Sequence, residues 1–198
     1  LKELNIYDNT VIILSSDNGP TYTGGVDFEY FQSSKPFSNG FGKTKGYTYE
    51  GGIRVPMIVS WPNKIRPGSK SNHISVGYDM MPTICDIANT TSPKNIDGLS
   101  FFSELLEKEQ KSHEFLYWEF PSYNGQQAVR LGNWKGIRKN IFDGNLEIEL
   151  YNLNNDLLEK NNVHADHPEI VSKIVKIMDQ EHEPSTNERF KFKQLGDK

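Results

Sequence analysis

One carboxylate, one carboxamide and one ammonium are the residues most able to do chemistry together in this sequence. Asp17 and Asn18 end the run Val11-Ile12-Ile13-Leu14-Ser15-Ser16-Asp17-Asn18-Gly19, and Lys45 opens a second cluster, KGYTYEGGIRVP, that closes at Pro56. A carboxylate oxygen beside a neutral amide oxygen is a pair of hard donors, suited to Ca²⁺ or Mg²⁺ better than to a soft metal. A lysine nearby would neutralise an oxyanion held by the same cation. Ser, Asp, Asn and Gly after a strand are also ordinary turn formers, so the first cluster alone reads first as a structural turn. Around the second cluster, Lys43, Lys45 and Arg54 supply local positive charge, and Glu50 and Arg54 flank a double glycine in a way that would fix the loop aiming Lys45.

Taken together the two clusters are specific, because Glu50-Gly51-Gly52-Ile53-Arg54-Val55-Pro56 leads into a new apolar run, Met57 to Ser60, closed by Trp61-Pro62. The chain resembles the C-terminal part of the type I, formylglycine-dependent sulfatases, the arylsulfatase family of the alkaline-phosphatase-like superfamily. YDMMPTICDIAN, IDGLSF, QAVRLGNWKGIR and ELYNLNND follow in the family's order, and NNDLLEKNN departs from it by placing Leu157 where proline is usual. The resemblance implies hydrolysis of a sulfuric ester, most naturally of a sulfated carbohydrate, with Asp17 and Asn18 completing a calcium site and Lys45 touching the sulfate. It also implies calcium in preference to Mg²⁺ as the metal, and a periplasmic or secreted enzyme. The family's nucleophile is a formylglycine made from cysteine in a Cys-x-Pro-x-Arg or related motif, and these residues contain no such motif. The single cysteine, Cys85, reads as a packed small hydrophobe on a helix. The chain is therefore expected to supply part of an active site and to be inactive alone, as a sulfatase without its N-terminal portion. Two alternatives stand beside this reading: a phosphate or phosphonate monoester hydrolase of the same superfamily, and a non-catalytic module that binds sulfated glycans. The Lys-Gly-x-x-x-Glu-Gly-Gly pattern favours sulfate.

The elements that must position these residues follow from periodicity. Residues 1–7 read as the end of a helix and residues 10–14 as a fully buried strand, with Asp17 and Asn18 just past its carboxyl end, where α/β folds gather ligands. Residues 20–44 read as a long loop over the site; its aromatics Tyr22, Phe28, Tyr30 and Phe31, with Tyr47, could stack on sugar rings, but the preferred reading is that most of them pin the loop to the body. Helical spacing places Met81, Ile84, Cys85 and Ala88 on one face of a helix over 78–89, and a short helix over 100–108 follows. Then EFLYWEF, QQAVRLG, NWKGIRK and EIELYNL predict an antiparallel sheet of four strands. Asp166-His167-Pro168 opens a final helix whose Ile170, Val171, Ile174, Val175 and Met178 form one stripe for that sheet. Between the first two of those strands Tyr123, Asn124 and Arg130, with Gln126 and Gln127, could form a substrate wall. His164 and His167 read as a solvated helix start. The expected fold is thus α/β: a remnant of the main sulfatase sheet plus a small antiparallel subdomain packed by a C-terminal helix. The expected division is 1–112 as part of the catalytic domain, 113–182 as the subdomain, and 183–198 as a weakly ordered tail.

Composition bounds the partners. With 26 acidic against 22 basic residues the net charge is −4, which argues against a broad nucleic-acid surface. No apolar stretch approaches the roughly 20 residues that cross a bilayer. One cysteine cannot form an internal disulfide.

Overall fold

The computed structural model describes residues 1–198. In chain order the elements are β1 (Ile12–Ser15), α1 (Phe28–Phe31), α2 (Glu50–Ile53), β2 (Met57–Ser60), α3 (Met80–Ile87), α4 (Phe102–Leu105), β3 (Leu116–Phe120), β4 (Gln126–Leu131), β5 (Trp134–Lys139), β6 (Glu149–Asn152) and α5 (Pro168–Glu181). They group into two units, Leu1–Ser15 with Pro56–Glu114 and Ser16–Val55 with Phe115–Lys198. Residues 16–55 therefore belong with the C-terminal sheet, although sequence order suggested placing them with residues 1–112. No helix is long and apolar enough to cross a membrane.

In the first unit β1 and β2 form a two-stranded antiparallel ladder, with Ile13 opposite Val59 and Leu14 opposite Ile58. The apolar run that reads as a fully buried strand is not buried here, since Ile12 is 42% and Leu14 63% exposed, and Ile58 on the paired strand is 61% exposed. Each strand has one neighbour only, so each keeps an open edge. The opening residues form turns and a 3₁₀ segment, Tyr7–Asn9, in place of the expected helix. Helix α3 forms where predicted, but Pro82, Thr83 and Cys85 are its buried residues while Met81 and Ile84 face outward. Hydrogen bonds decide that rotation. Thr83 donates to the Asp79 carbonyl at 2.7 Å and accepts from the Phe101 amide at 3.0 Å, and the buried Asp79 carboxylate accepts from the Val76 and Leu99 amides. A periodicity count sees apolar faces only, and here the polar partners set the face.

In the second unit β3, β4, β5 and β6 lie in sequence order, every pair antiparallel. Alternation along the strands sends residues to two different cores. Val129, Ile148 and Leu150 meet Ile174 and Met178 of α5, whereas Ala128, Ile137 and Tyr151 meet Tyr49 from the loop segment preceding α2. Gly136 lies beneath α5 because a Cβ there would strike the Ile174 side chain. The sheet is thus covered by α5 on one face and by the residues around Tyr49 on the other, which is why the middle of β4 and β5 is buried on both sides. The tail is anchored as well: Phe192 is fully buried, its amide donates to Asp197 at 2.7 Å, and Asp197 pairs with His182 at 2.7 Å. His167 lies against Trp134, with ring centroids 4.6 Å apart.

Candidate active site

Within the second unit the two sequence clusters meet through their backbones. The Gly19 amide donates to the Gly52 carbonyl at 2.8 Å, and the Lys45 amide donates to the Pro20 carbonyl at 3.1 Å. The approach of Gly19 to the double glycine is possible only because these glycines lack side chains. A Cβ on Gly19 would fall on the Gly51 carbonyl, and one on Gly52 would fall on the carbonyls of Tyr47 and Thr44. Asp17 and Lys45 are exposed and Asn18 is half-buried. The Asn18 side-chain nitrogen donates to the Gly19 carbonyl at 2.8 Å, which orients the amide and leaves its oxygen as a donor atom for a cation. Asp17 and Asn18 thus suit a hard divalent ion, but they are two of the six to eight oxygens that calcium takes. No group of three or more His, Cys, Asp or Glu side chains is arranged to hold a metal.

What holds the clasp is a buried charge network beneath it. Glu50, at the start of α2, is reached by Lys135 at 2.8 Å, Arg54 at 3.3 Å and Arg130 at 3.8 Å. Burial pushes the Glu50 carboxyl up, but these three cations outweigh it and hold the group below the ordinary carboxylate range. Glu159 accepts from the Glu50 amide at 2.8 Å and from the Ser38 hydroxyl at 2.7 Å, and that hydroxyl accepts from the Gly51 amide at 3.0 Å. Its other oxygen has no hydrogen bond and faces the Lys135 ammonium at 3.3 Å. Burial, reinforced by Glu50, raises the Glu159 carboxyl despite Lys135. From β4, Gln126 accepts from the Thr48 amide at 3.2 Å and donates to the Gly46 carbonyl at 2.9 Å. The loop carrying Lys45 is therefore fixed from both ends.

Other candidates separate into those at the site and those used elsewhere. Lys43 donates to the Glu159 carbonyl at 2.5 Å and lies over the Tyr49 ring, and Arg54 lies over Phe37 at 4.5 Å while pairing with Glu50. Lys45 alone of the three makes no ion pair or side-chain hydrogen bond. It lines a cleft of about 380 Å³ together with Thr21, Tyr22, Thr23 and Tyr123. Asn124 instead donates to Asp143, Arg130 turns to Glu50 and to the Gly132 carbonyl, and Gln126 and Gln127 are buried in internal bonds. Tyr30 and Phe31 do not pin their loop, since they pack edge-on against each other and stay exposed. Lys135, Glu159 and Ser38 escape sequence reading altogether: they are scattered along the chain and carry no local motif.

Comparison with known proteins decides the family. The family described as N-sulphoglucosamine sulphohydrolase, C-terminal, matches residues 41–186. The chain belongs to this sulfatase family. It is similar to the N-acetylgalactosamine-6-O-sulfatase of Bacteroides thetaiotaomicron, at 29% identity over 90% of this chain and 37% of that protein. It is similar to Arylsulfatase A of Homo sapiens at 31% identity over 67% of this chain and 25% of that protein. The solved structure of BT4656 in complex with its substrate D-glucosamine-2-N,6-O-disulfate superposes with a TM-score of 0.70 at 26% identity, covering 90% of this chain and 35% of the other. The sulfatase chain thus spans well under half the length of these relatives. A likeness to the phosphonate monoester hydrolase of Agrobacterium radiobacter, with a TM-score of 0.61 at 21% identity, reflects the shared fold alone.

Proposed function

We propose that this chain forms part of the active site of a sulfuric ester hydrolase acting on a sulfated carbohydrate, with the nucleophile supplied from outside these residues. The observation that carries the reading is the clasp that joins the segment after Asp17 and Asn18 to the segment of Lys45, leaving the Lys45 ammonium unpaired beside a cleft. A calcium ion held by Asp17, Asn18 and further ligands would withdraw charge from the sulfuryl oxygens. Lys45 contacts the sulfate and neutralises charge as the ester bond breaks. Glu50, Lys135, Glu159 and Gln126 do no chemistry, and their work is to hold the loop rigid so that Lys45 needs no reorganisation when substrate arrives. The relatives named for sulfated amino sugars support a carbohydrate ester as substrate. Exposed apolar side chains on β1 and β2 support a larger sheet in the complete enzyme.

The test is release of sulfate from N-acetylgalactosamine 6-sulfate and N-acetylglucosamine 6-sulfate by the complete gene product carrying these residues, set against release of phosphate from the matching phosphate esters and of alcohol from a phosphonate monoester. Preference for the sulfate esters supports the proposal. Preference for a phosphate or phosphonate ester would replace it with the neighbouring chemistry, and binding of sulfated sugars without turnover of any ester would make the protein a glycan-binding one.

A further inference from the structure

The last residues of the chain carry a device that ester hydrolysis does not itself require. Within residues 183–198 only Phe192 and Asp197 are buried, so this segment hangs chiefly on two side chains. Phe192 lies against the bare Cα of Gly125, where a Cβ would strike its ring, and packs on Phe142 with centroids 5.1 Å apart. The Gln194 side chain donates to the Phe142 carbonyl at 2.8 Å. Both contacts fall on one small assembly. The Ile141 and Phe142 amides donate to the Gly125 and Asn124 carbonyls, each at 3.2 Å, which ties the turn between β3 and β4 to the segment Ile141–Asp143. That turn carries Tyr123, whose ring packs on Tyr47 with centroids 5.0 Å apart and fills the space beside Gly46, next to Lys45.

Asp197 holds the segment through charge. One of its oxygens accepts from the Phe192 amide and the other meets Nε2 of His182, each at 2.7 Å, while Nδ1 of His182 meets Glu119 of β3 at 2.7 Å. The same Glu119 oxygen accepts from the Tyr117 hydroxyl and, at 3.1 Å, from the Gln127 side chain. Arg138 of β5 donates to Gln127 at 2.8 Å and pairs with neither carboxylate, so His182 is the one cation shared by Glu119 and Asp197. A neutral imidazole carries a single N–H and can donate to only one of them.

We propose that residues 183–198 form a pH-sensitive latch, closed by protonated His182, that holds the turn of Tyr123 against the loop of Lys45. With the proton in place both carboxylates are bonded, Asp197 keeps Phe192 seated under Gly125, and the turn stays against Gly46. Loss of the proton leaves two carboxylates without their shared cation and frees a segment that has little else to hold it. Burial lowers the His182 pKa, but the bonds to Asp197 and Glu119 outweigh that and raise it. The latch is therefore complete below the ordinary histidine value of about 6.5 and opens as pH rises through the raised one. It shapes the loop whatever the Lys45 ammonium contacts, so its test is independent of the sulfate reading.

The complete gene product, isotope-labelled on histidine and glycine, is titrated by NMR from about pH 5 to pH 9 as wild type, Asp197→Asn and Phe192→Ala, with thermal melts as a folding control and His182→Gln to assign the histidine signal. His182 should titrate above about 6.5, and the Gly46, Gly125 and Gly196 amide signals should shift with the same midpoint. Asp197→Asn keeps an oxygen for the Phe192 amide and adds an N–H that a neutral imidazole accepts. It should lower the His182 midpoint and hold all three glycine signals at their acidic positions throughout. Phe192→Ala should abolish the shifts at Gly125 and Gly46. A wild-type His182 midpoint at or below about 6.5 overturns the latch, as does an Asp197→Asn variant whose glycine signals move with pH as the wild type's do. If Gly196 follows His182 while Gly125 and Gly46 do not, the tail is pinned without positioning the turn, and the proposal falls.

Discussion

Replacing Lys135 by methionine removes the one cation shared by two buried carboxylates. The Lys135 and Glu159 side chains have no exposed surface, and Lys135 reaches Glu50 at 2.8 Å and Glu159 at 3.3 Å. Leaving a buried charge without its partner costs about 3–5 kcal/mol, whereas the methionine itself fills most of the lysine's volume. For a chain of this size that corresponds to a fall in melting temperature of about 6–20 °C at pH 7. The pH dependence sharpens the prediction. In the wild type burial raises the Glu50 carboxyl but Lys135, Arg130 and Arg54 bring it below its ordinary value, so Glu50 contributes stability above the usual carboxylate pKa and loses it as pH falls through the lowered value. Burial raises Glu159, so its contribution is complete below the ordinary carboxylate pKa and is lost as pH rises through the raised value. Without Lys135 burial governs Glu159 more strongly and the main counter to burial of Glu50 is gone, so the variant gains more stability on acidification than the wild type does. The deficit should therefore narrow from pH 7 to pH 5. Adding Glu159→Gln to the lysine variant should recover part of the loss at pH 7 by removing one buried charge. Circular dichroism melts at both pH values read all of this. A loss below about 1 kcal/mol at pH 7, or a deficit that widens toward pH 5, would refute the view that this network is an ionised support for the loop of Lys45.

Gly52→Ala should destabilise the second unit by about 1–3 kcal/mol, seen in denaturant titration, because its Cβ would meet the Tyr47 and Thr44 carbonyls. Both ring nitrogens of His182 face carboxylates, Glu119 and Asp197, each at 2.7 Å, so only the imidazolium donates to both. Burial lowers its pKa, but the hydrogen bonds to Asp197 and Glu119 outweigh that and raise it; this stabilisation is complete below the ordinary histidine pKa and is lost as pH rises through the raised value. Limited proteolysis within residues 183–198 should accordingly speed up with rising pH in the wild type and lose that dependence in His182→Ala. The isolated chain should release no sulfate from an aryl sulfate, and turnover by pure material would place a nucleophile within these residues.

How much the sequence reveals depends on how local the cause is. The four strands of the C-terminal sheet and α5 are legible because alternation and the 3.6-residue stripe are local patterns, and Pro168 marks the helix start. The rotation of α3 is not, because Asp79 and Thr83 are oriented by amides at Leu99 and Phe101 far along the chain. Exposure of Leu14 and Ile58 is equally hidden, since an apolar run shows a strand's preference for burial and not what covers it. At the site, the double glycine and Lys45 form a local motif and are found at once. Lys135 and Glu159 are not, because a buried ion pair is made by sheet register and loop closure. The substrate-wall residues show the same limit: Tyr123 lines the cleft, while Asn124 and Arg130, close by in sequence, turn to Asp143 and Glu50.

The central claim is that Lys45 contacts the sulfate while Asp17 and Asn18 hold the metal ion of the same site, and paired kinetics test it most directly. In the complete gene product, kcat/KM on a sulfated sugar is measured against free calcium for the wild type, Asp17→Ala and Lys45→Ala. The account predicts that Lys45→Ala loses about 10²- to 10³-fold at every calcium concentration, and that Asp17→Ala shifts the calcium midpoint upward and regains activity as calcium rises. Unchanged kinetics in Lys45→Ala, or a calcium midpoint in Asp17→Ala equal to that of the wild type, would contradict it.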